Sequence, residues 1–211
     1  KEEKFEGTFQ DYLNLVAKDK SVVKSSHRRL YDVIIDQGFE KMPDSNPRKS
    51  RVFDNDSVKV YKYFEDHFFG MERVLEKLMS FLHSSAHNGE ESRQVLLLMG
   101  PVGAGKSALI EHIKGALEES GKFYKLEGCP INEEPLHLIP RSLRKNFEKT
   151  YDVRIEGDLC PICRHRLLSD YGGDYTSFPI TETSFSVRGR VGVGVVPPMD
   201  PNTQDTSLLI G

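Results

Sequence analysis

An α/β fold, a parallel sheet flanked by helices, follows from three adjacent features of the chain. Gln94-Val95-Leu96-Leu97-Leu98-Met99 is an apolar run of strand length. Gly100 to Ser107, reading Gly-Pro-Val-Gly-Ala-Gly-Lys-Ser, is a complete G-x-x-x-x-G-K-S loop. Ala108 to Leu117 then places apolar residues at helical spacing. Strand, glycine-rich turn and helix in this order form a phosphate-loop unit. Glycines let the backbone curl so that successive N–H groups face one phosphate, Lys106 adds a mobile ammonium, and Ser107 offers a hydroxyl to Mg²⁺. The phosphates would sit at a helix N-terminus, where unpaired N–H groups and the helix dipole favour anions. A nucleoside triphosphate is therefore the expected ligand. Its contacts would come from Gly100, Pro101, Val102, Gly103, Ala104, Gly105, Lys106, Ser107 and Ala108, with Lys106 as the catalytic cation and Ser107 as the metal contact.

Before the loop, Phe9, Tyr12, Leu13 and Val16 share one helical face, and Leu30, Val33 and Ile34 do so again behind a Ser25-Ser26 cap. These residues predict an N-terminal helical extension over 1–41. The prolines and turn formers of Met42 to Ser50 predict a linker over 42–57, leaving 58–211 for the phosphate-loop domain. Val58 to Phe64 mixes β-branched and aromatic residues and reads as extended. Met71, Val74, Leu75, Leu78, Met79 and Leu82 predict an amphipathic helix ending near Asn88-Gly89.

After the loop, Phe123 to Leu126 reads as a strand. Three prolines between Pro130 and Pro140 exclude a continuous regular element there, and the later half of Leu136 to Tyr151 reads as helix. Ser186 to Val196, rich in Val and Gly, predicts a strand or hairpin, with Gly189, Gly192 and Gly194 as its turn residues.

With 37 % hydrophobic and 29 % charged residues, the 211-residue chain has a globular composition and enough length for a substantial core. No apolar run reaches the length of a membrane span, and Lys1-Glu2-Glu3-Lys4 has no apolar signal region, so cytoplasmic residence and no membrane partner are expected. A formal charge of −3 argues against bulk affinity for nucleic acid. Three cysteines make a disulfide framework unexpected. Cys160-Pro161-Ile162-Cys163 is one C-x-x-C pair, where a structural zinc site wants four ligands. Cys129 and His137 would complete a site if the fold brought them near; a redox pair and ordinary thiols are the other readings.

Some thirty residues before the loop stands Phe68-Phe69-Gly70-Met71-Glu72. Downstream come Pro135-Leu136-His137-Leu138-Ile139-Pro140, then Ile155-Glu156-Gly157-Asp158-Leu159, then Asp200-Pro201-Asn202-Thr203-Gln204-Asp205. Together with the loop, these ordered blocks resemble the bacterial PrkA serine protein kinase family, over most of the chain. The resemblance implies an AAA+ type of phosphate-loop fold with ATP and Mg²⁺ as cofactors, and Phe69 and Gly70 packing beside the adenine. It also implies a homo-oligomer that couples ATP binding and hydrolysis to serine phosphorylation of a protein substrate. Ala104 stands where many members have a second glycine. No apolar strand ending in Asp or Glu follows Ser107, so the family's Walker B, sensor and arginine-finger residues are expected beyond Gly211, making this an incomplete domain. The chain contains no H-R-D, D-F-G or A-P-E motif of the protein kinases. An ATP-dependent protease or remodelling ATPase without kinase activity is the competing expectation, and a binding module with residues 1–40 as its platform is a third.

Overall fold

The structure is a computed structural model that describes residues 4–54 and 56–196. Strand β1 (Glu6–Thr8) runs directly into helix α1 (Phe9–Lys18). Thr8 closes a capping box there: its hydroxyl accepts from the Asp11 N–H at 3.3 Å while the Asp11 carboxylate accepts from the Thr8 N–H at 2.9 Å. Helix α2 (Ser26–Asp36) starts behind Ser25, whose hydroxyl accepts from the Arg28 N–H. The two helices predicted for the first forty residues are therefore present, each with its own cap.

Strand β2 (Phe39–Lys41) pairs antiparallel with β3 (Lys59–Tyr61). Between them the proline-rich stretch forms a short helix, α3 (Pro47–Val52), capped by Asn46 with proline at its first turn. Met42, Phe53 and Val58 bury a small apolar cluster of their own beneath this hairpin. The extended reading of Val58 to Phe64 holds only for three residues, because α4 (Lys62–Glu65) follows at once and turns Phe64 inward. Helix α5 (Glu72–Ala86) buries Leu75, Leu78, Met79 and Leu82 as their spacing predicts. Val74 lies outside that face and is exposed.

The chain then reaches helix α6 (Lys106–Glu119) through the glycine loop. Leu109 and Ala116 of α6 join Leu30 and Ile34 of α2 and the buried face of α5 in one helical core. A second core lies around the sheet. Strand β4 (Lys122–Leu126) pairs with β5 (Pro179–Ser184), and β5 pairs on its other edge with β1. Leu126, Phe178 and Ile180 meet Phe9, Tyr12 and Val16 of α1 there. The first helical N–H of α1 is satisfied by the Phe178 carbonyl at 2.8 Å, which welds helix to sheet. Helices α7 (Arg141–Tyr151) and α8 (Pro161–Ser169) complete this half.

The parallel sheet expected around the loop is not observed: every strand pair among the described residues is antiparallel. Gln94 to Met99 is extended in neither sheet, and Val95, Leu97 and Met99 are 93, 74 and 85 % exposed. The strand after the loop, β4, pairs instead with β5, and Tyr124 and Leu126 close with β5 onto α1. The hairpin expected over Ser186 to Val196 reduces to a single antiparallel bridge, Ser186 to Val191, with Arg190 and Gly192 at positive φ. The Asp200 to Asp205 block lies outside the described residues.

Phe178 is fully buried between the Tyr171 ring at 5.0 Å and the Arg166 guanidinium at 5.2 Å. Phe178→Ala should cost about 4 kcal/mol, lowering the urea midpoint at constant slope, since truncation leaves a cavity where α1, β5 and α8 meet. An unchanged midpoint would remove Phe178 from the centre of that core.

Candidate functional site

The loop owes its curl to two residues. Gly103 (φ +83°) and Gly105 (φ +79°) hold left-handed conformations that a side chain disfavours, whereas Ala104 between them takes no positive φ and replaces glycine without strain. Gly105 caps α6. By helix geometry the N–H groups of Lys106, Ser107 and Ala108 have no intrahelical acceptor and face the loop mouth, while the Leu109 N–H starts the ladder on the Gly105 carbonyl at 2.9 Å. Lys106 folds back over this mouth, its Nζ donating to the carbonyls of Gly100 and Pro101 at 2.7 Å each. Pro101, Val102, Ser107 and Ala108 are exposed around it. The structure thus sets the predicted loop residues around one open rim, where the free N–H groups at the start of α6 and one ammonium suit phosphate oxygens, while the Ala104 N–H donates to the Pro101 carbonyl at 3.3 Å.

Phe68 to Met71 reaches this rim from below. A Cβ on Gly105 would meet the Met71 sulfur at 3.5 Å and the Phe68 ring at 4.0 Å, so these two side chains form the seat of the loop. Phe68 is buried, packed edge-on against Phe64 and His112. Phe69 points the other way, 69 % exposed, with the Arg48 guanidinium over its ring at 5.9 Å. Gly70, at φ +76°, then bends the chain toward the start of α5 at Glu72. Arg48 is itself fixed by Glu72, donating to its Oε1 at 2.7 Å. Glu72 is buried, and its Oε2 has no partner among the described residues. The apolar alternation of the sequence did not separate Phe68 from Phe69, and Arg48 carried no signal at all, because its partner is 24 residues away.

The profile of the PrkA AAA domain matches residues 7–211. The chain belongs to the PrkA AAA domain family. A relative described as ATP-dependent protease PrkA, from Bacillus subtilis (strain 168), is 38 % identical over 99 % of this chain and 32 % of its own length. One described as serine/threonine kinase YeaG, from Escherichia coli (strain K12), is 34 % identical over the whole chain and 33 % of its own length. A Lon protease of Ureaplasma parvum is 29 % identical over 39 % of this chain and 10 % of its own length. The chain thus spans about a third of the length of the PrkA and YeaG relatives. No solved structure matches it. No helix among the described residues is long and apolar enough to cross a membrane.

Away from the loop, this PrkA AAA domain gathers a second group of reactive side chains. Cys129 follows β4, Cys160 caps α8 and Cys163 lies in its first turn; all three are free thiols. The predicted C-x-x-C pair and Cys129 do come together, but the fourth group among them is Glu133, not His137. His137 stands one step out, its Nδ1 at 3.1 Å from Glu133 Oε1 and its Nε2 facing the Glu156 carbonyl at 2.8 Å. Burial pushes the Glu133 carboxyl up, yet the bonds from His137 and from the Cys160 N–H at 2.7 Å outweigh it and hold it below its usual range. Burial pushes the Cys160 and Cys163 thiols up. Glu133 had a legible signal, an acid four residues from both Cys129 and His137.

Arg48→Ala should destabilise the fold by about 2 kcal/mol by leaving the buried Glu72 carboxylate without its donor. A double variant, Arg48→Met with Glu72→Gln, should lose less than the two single changes summed, read by denaturant unfolding of the four-member cycle. Strict additivity would show that the pair is not coupled.

Proposed function

We propose that this chain holds ATP and Mg²⁺ on Gly100 to Ser107 and works as the nucleotide-binding part of an AAA+ ATPase. One observation carries the reading: the α6 N-terminus, the two left-handed glycines and the Lys106 ammonium converge on a single exposed rim. In this reading the N–H groups of Gly105 to Ala108 cradle the phosphates, joined by that of Ala104 once it leaves the Pro101 carbonyl. Lys106 Nζ leaves the Gly100 and Pro101 carbonyls for the β- and γ-phosphate oxygens, where charge–charge contact outweighs two neutral acceptors. Ser107 would offer its hydroxyl to Mg²⁺, whose chemistry when bound would be neutralisation of phosphate charge. Exposed Phe69 and the bend at Gly70 offer a flat apolar surface to the adenine.

The apolar segment Gln94 to Met99 fits this assignment. A strand carrying apolar residues on both faces belongs inside a sheet covered on both sides. Its strand partners then lie outside the described residues, and so do the acidic residue that would hold Mg²⁺ through water and the groups that would polarise the attacking water. The full-length protein is proposed to act as a homo-oligomer in the cytoplasm.

The work done on ATP binding and hydrolysis is proposed to be phosphorylation of serine on a protein substrate, as the family resemblance and the name of the Escherichia coli relative suggest. The name of the Bacillus subtilis relative favours a second reading, ATP-driven proteolysis. Incubation of the full-length protein with γ-labelled ATP and a protein substrate separates them: labelled phosphoserine supports the first, unlabelled peptide fragments the second.

For the binding site itself, Lys106→Ala should weaken ATP by about 2 kcal/mol, roughly thirtyfold, with unfolding unchanged. Ser107→Ala should remove most of the Mg²⁺ dependence of binding. Wild-type affinity in the Lys106 variant, measured calorimetrically, would overturn the assignment of the loop.

A further inference from the structure

We propose that Cys129, Cys160, Cys163 and Glu133 form a closed structural zinc site. One ligand atom from each of the four lies within 4.8 Å of all the others. Ligands about 2.3 Å from a tetrahedral zinc stand about 3.8 Å apart. The Cys129 and Cys160 sulfurs are 4.0 Å apart, and the Cys129 sulfur is 3.9 Å from Glu133 Oε2. The set therefore already has the span of a zinc tetrahedron, and small side-chain rotations suffice to close it. Three sulfur donors with one carboxylate are soft enough to select zinc over magnesium or calcium.

The surroundings fit a metal better than they fit free thiols. The Glu133 side chain is only 2 % exposed, so its carboxylate has been taken out of water beside sulfur atoms that are poor hydrogen-bond partners. The Cys163 N–H donates to the Cys160 sulfur at 3.3 Å, and Cys160 sits at the N-terminus of the nine-residue α8. That bond and the helix dipole both favour negative charge on the sulfur. His137 Nδ1 and the Cys160 N–H hold Glu133 Oε1, leaving Oε2 toward the thiols. A ligand carboxylate oriented by its own hydrogen-bond partners is the usual outer arrangement of a metal site.

The site would be structural, because four protein groups fill four positions and two of the three cysteines are buried. It would join three segments that share no regular hydrogen-bond ladder: the turn after β4, the proline-containing stretch Pro130 to Pro140, and the start of α8. Arg166 of α8 reinforces the junction, donating to the Glu127 carbonyl at 2.5 Å, and Gly128 at φ +68° leaves room for its guanidinium.

Plasma emission on the full-length protein, purified without chelator, should find about one zinc per chain. After mercurial displacement of the zinc and removal of the mercury with excess thiol, cobalt(II) should give the visible absorption of a tetrahedral thiolate complex. Cys163→Ser should lose the metal, and Glu133→Gln should bind it more weakly. His137→Gln should keep the stoichiometry with affinity reduced about tenfold, as for a residue that only orients a ligand. Folded protein without zinc and without a cobalt spectrum, whether its thiols are all reactive or two are joined as a disulfide, would overturn the proposal. If Cys163→Ser fails to fold, wild-type stoichiometry and the cobalt spectrum still decide.

Discussion

Everything at the loop depends on the contact between Gly105 and the two side chains beneath it, Phe68 and Met71. Gly105 must take a positive φ to turn the chain into α6, and it must approach an aromatic ring closely, so both demands fall on the one residue without a side chain. The seat is rigid because its members are held from elsewhere. Phe68 packs on Phe64 and His112, while α6 is pinned by Leu109 and Ala116 against α2 and α5. The Tyr63 hydroxyl adds a bond to the His112 carbonyl at 3.0 Å, tying α4 to α6. The exposed N–H groups of the helix start are thereby fixed in direction before any ligand arrives. Preorganised donors are the ones that bind anions well, since no ordering cost is left for the binding step.

What was legible in the sequence follows from range. Signals carried within a few residues were readable: the loop, the α5 face, the two N-terminal helices and the strand at Phe123 all rest on spacings of no more than five positions. Distant pairings were not. Nothing in Glu6 to Thr8 announces pairing with Pro179 to Thr181, and nothing in Arg48 announces Glu72. The cysteine cluster lies between these cases. Cys160 and Cys163 were visible as a pair, and Glu133 was marked only by its distance from Cys129, which becomes meaningful once a turn brings both to one point.

The expected parallel sheet is not seen among the described residues for a different reason. A parallel pair needs a crossover and a partner strand, and the nearest strand downstream of the loop, β4, directs its apolar side chains toward α1 through β5. Hydrophobicity alone marked Gln94 to Met99 as strand material without saying which strand would meet it. Burying the exposed sides of Val95, Leu97 and Met99 would contribute several kcal/mol at about 25 cal/mol per Å² of apolar area. The segment is thus a strong acceptor for further strands, and its apolar character is a property of the sheet it would enter, not of the sheet formed by β1, β5 and β4.

This asymmetry bears on how the loop would function. Its C-terminal end is anchored through Gly105 on Phe68 and Met71, whereas its N-terminal end, Gly100, continues directly from the unpaired segment. Lys106 spans the two, bonding Gly100 and Pro101 from the α6 side. On the proposed nucleotide reading, phosphates drawing Lys106 away would release the carbonyls that it now steadies, so the N-terminal end would then need another hold. On the proposed reading, strand pairing at Val95 to Met99 would supply that hold, at an ordering cost of roughly 1–2 kcal/mol per residue fixed.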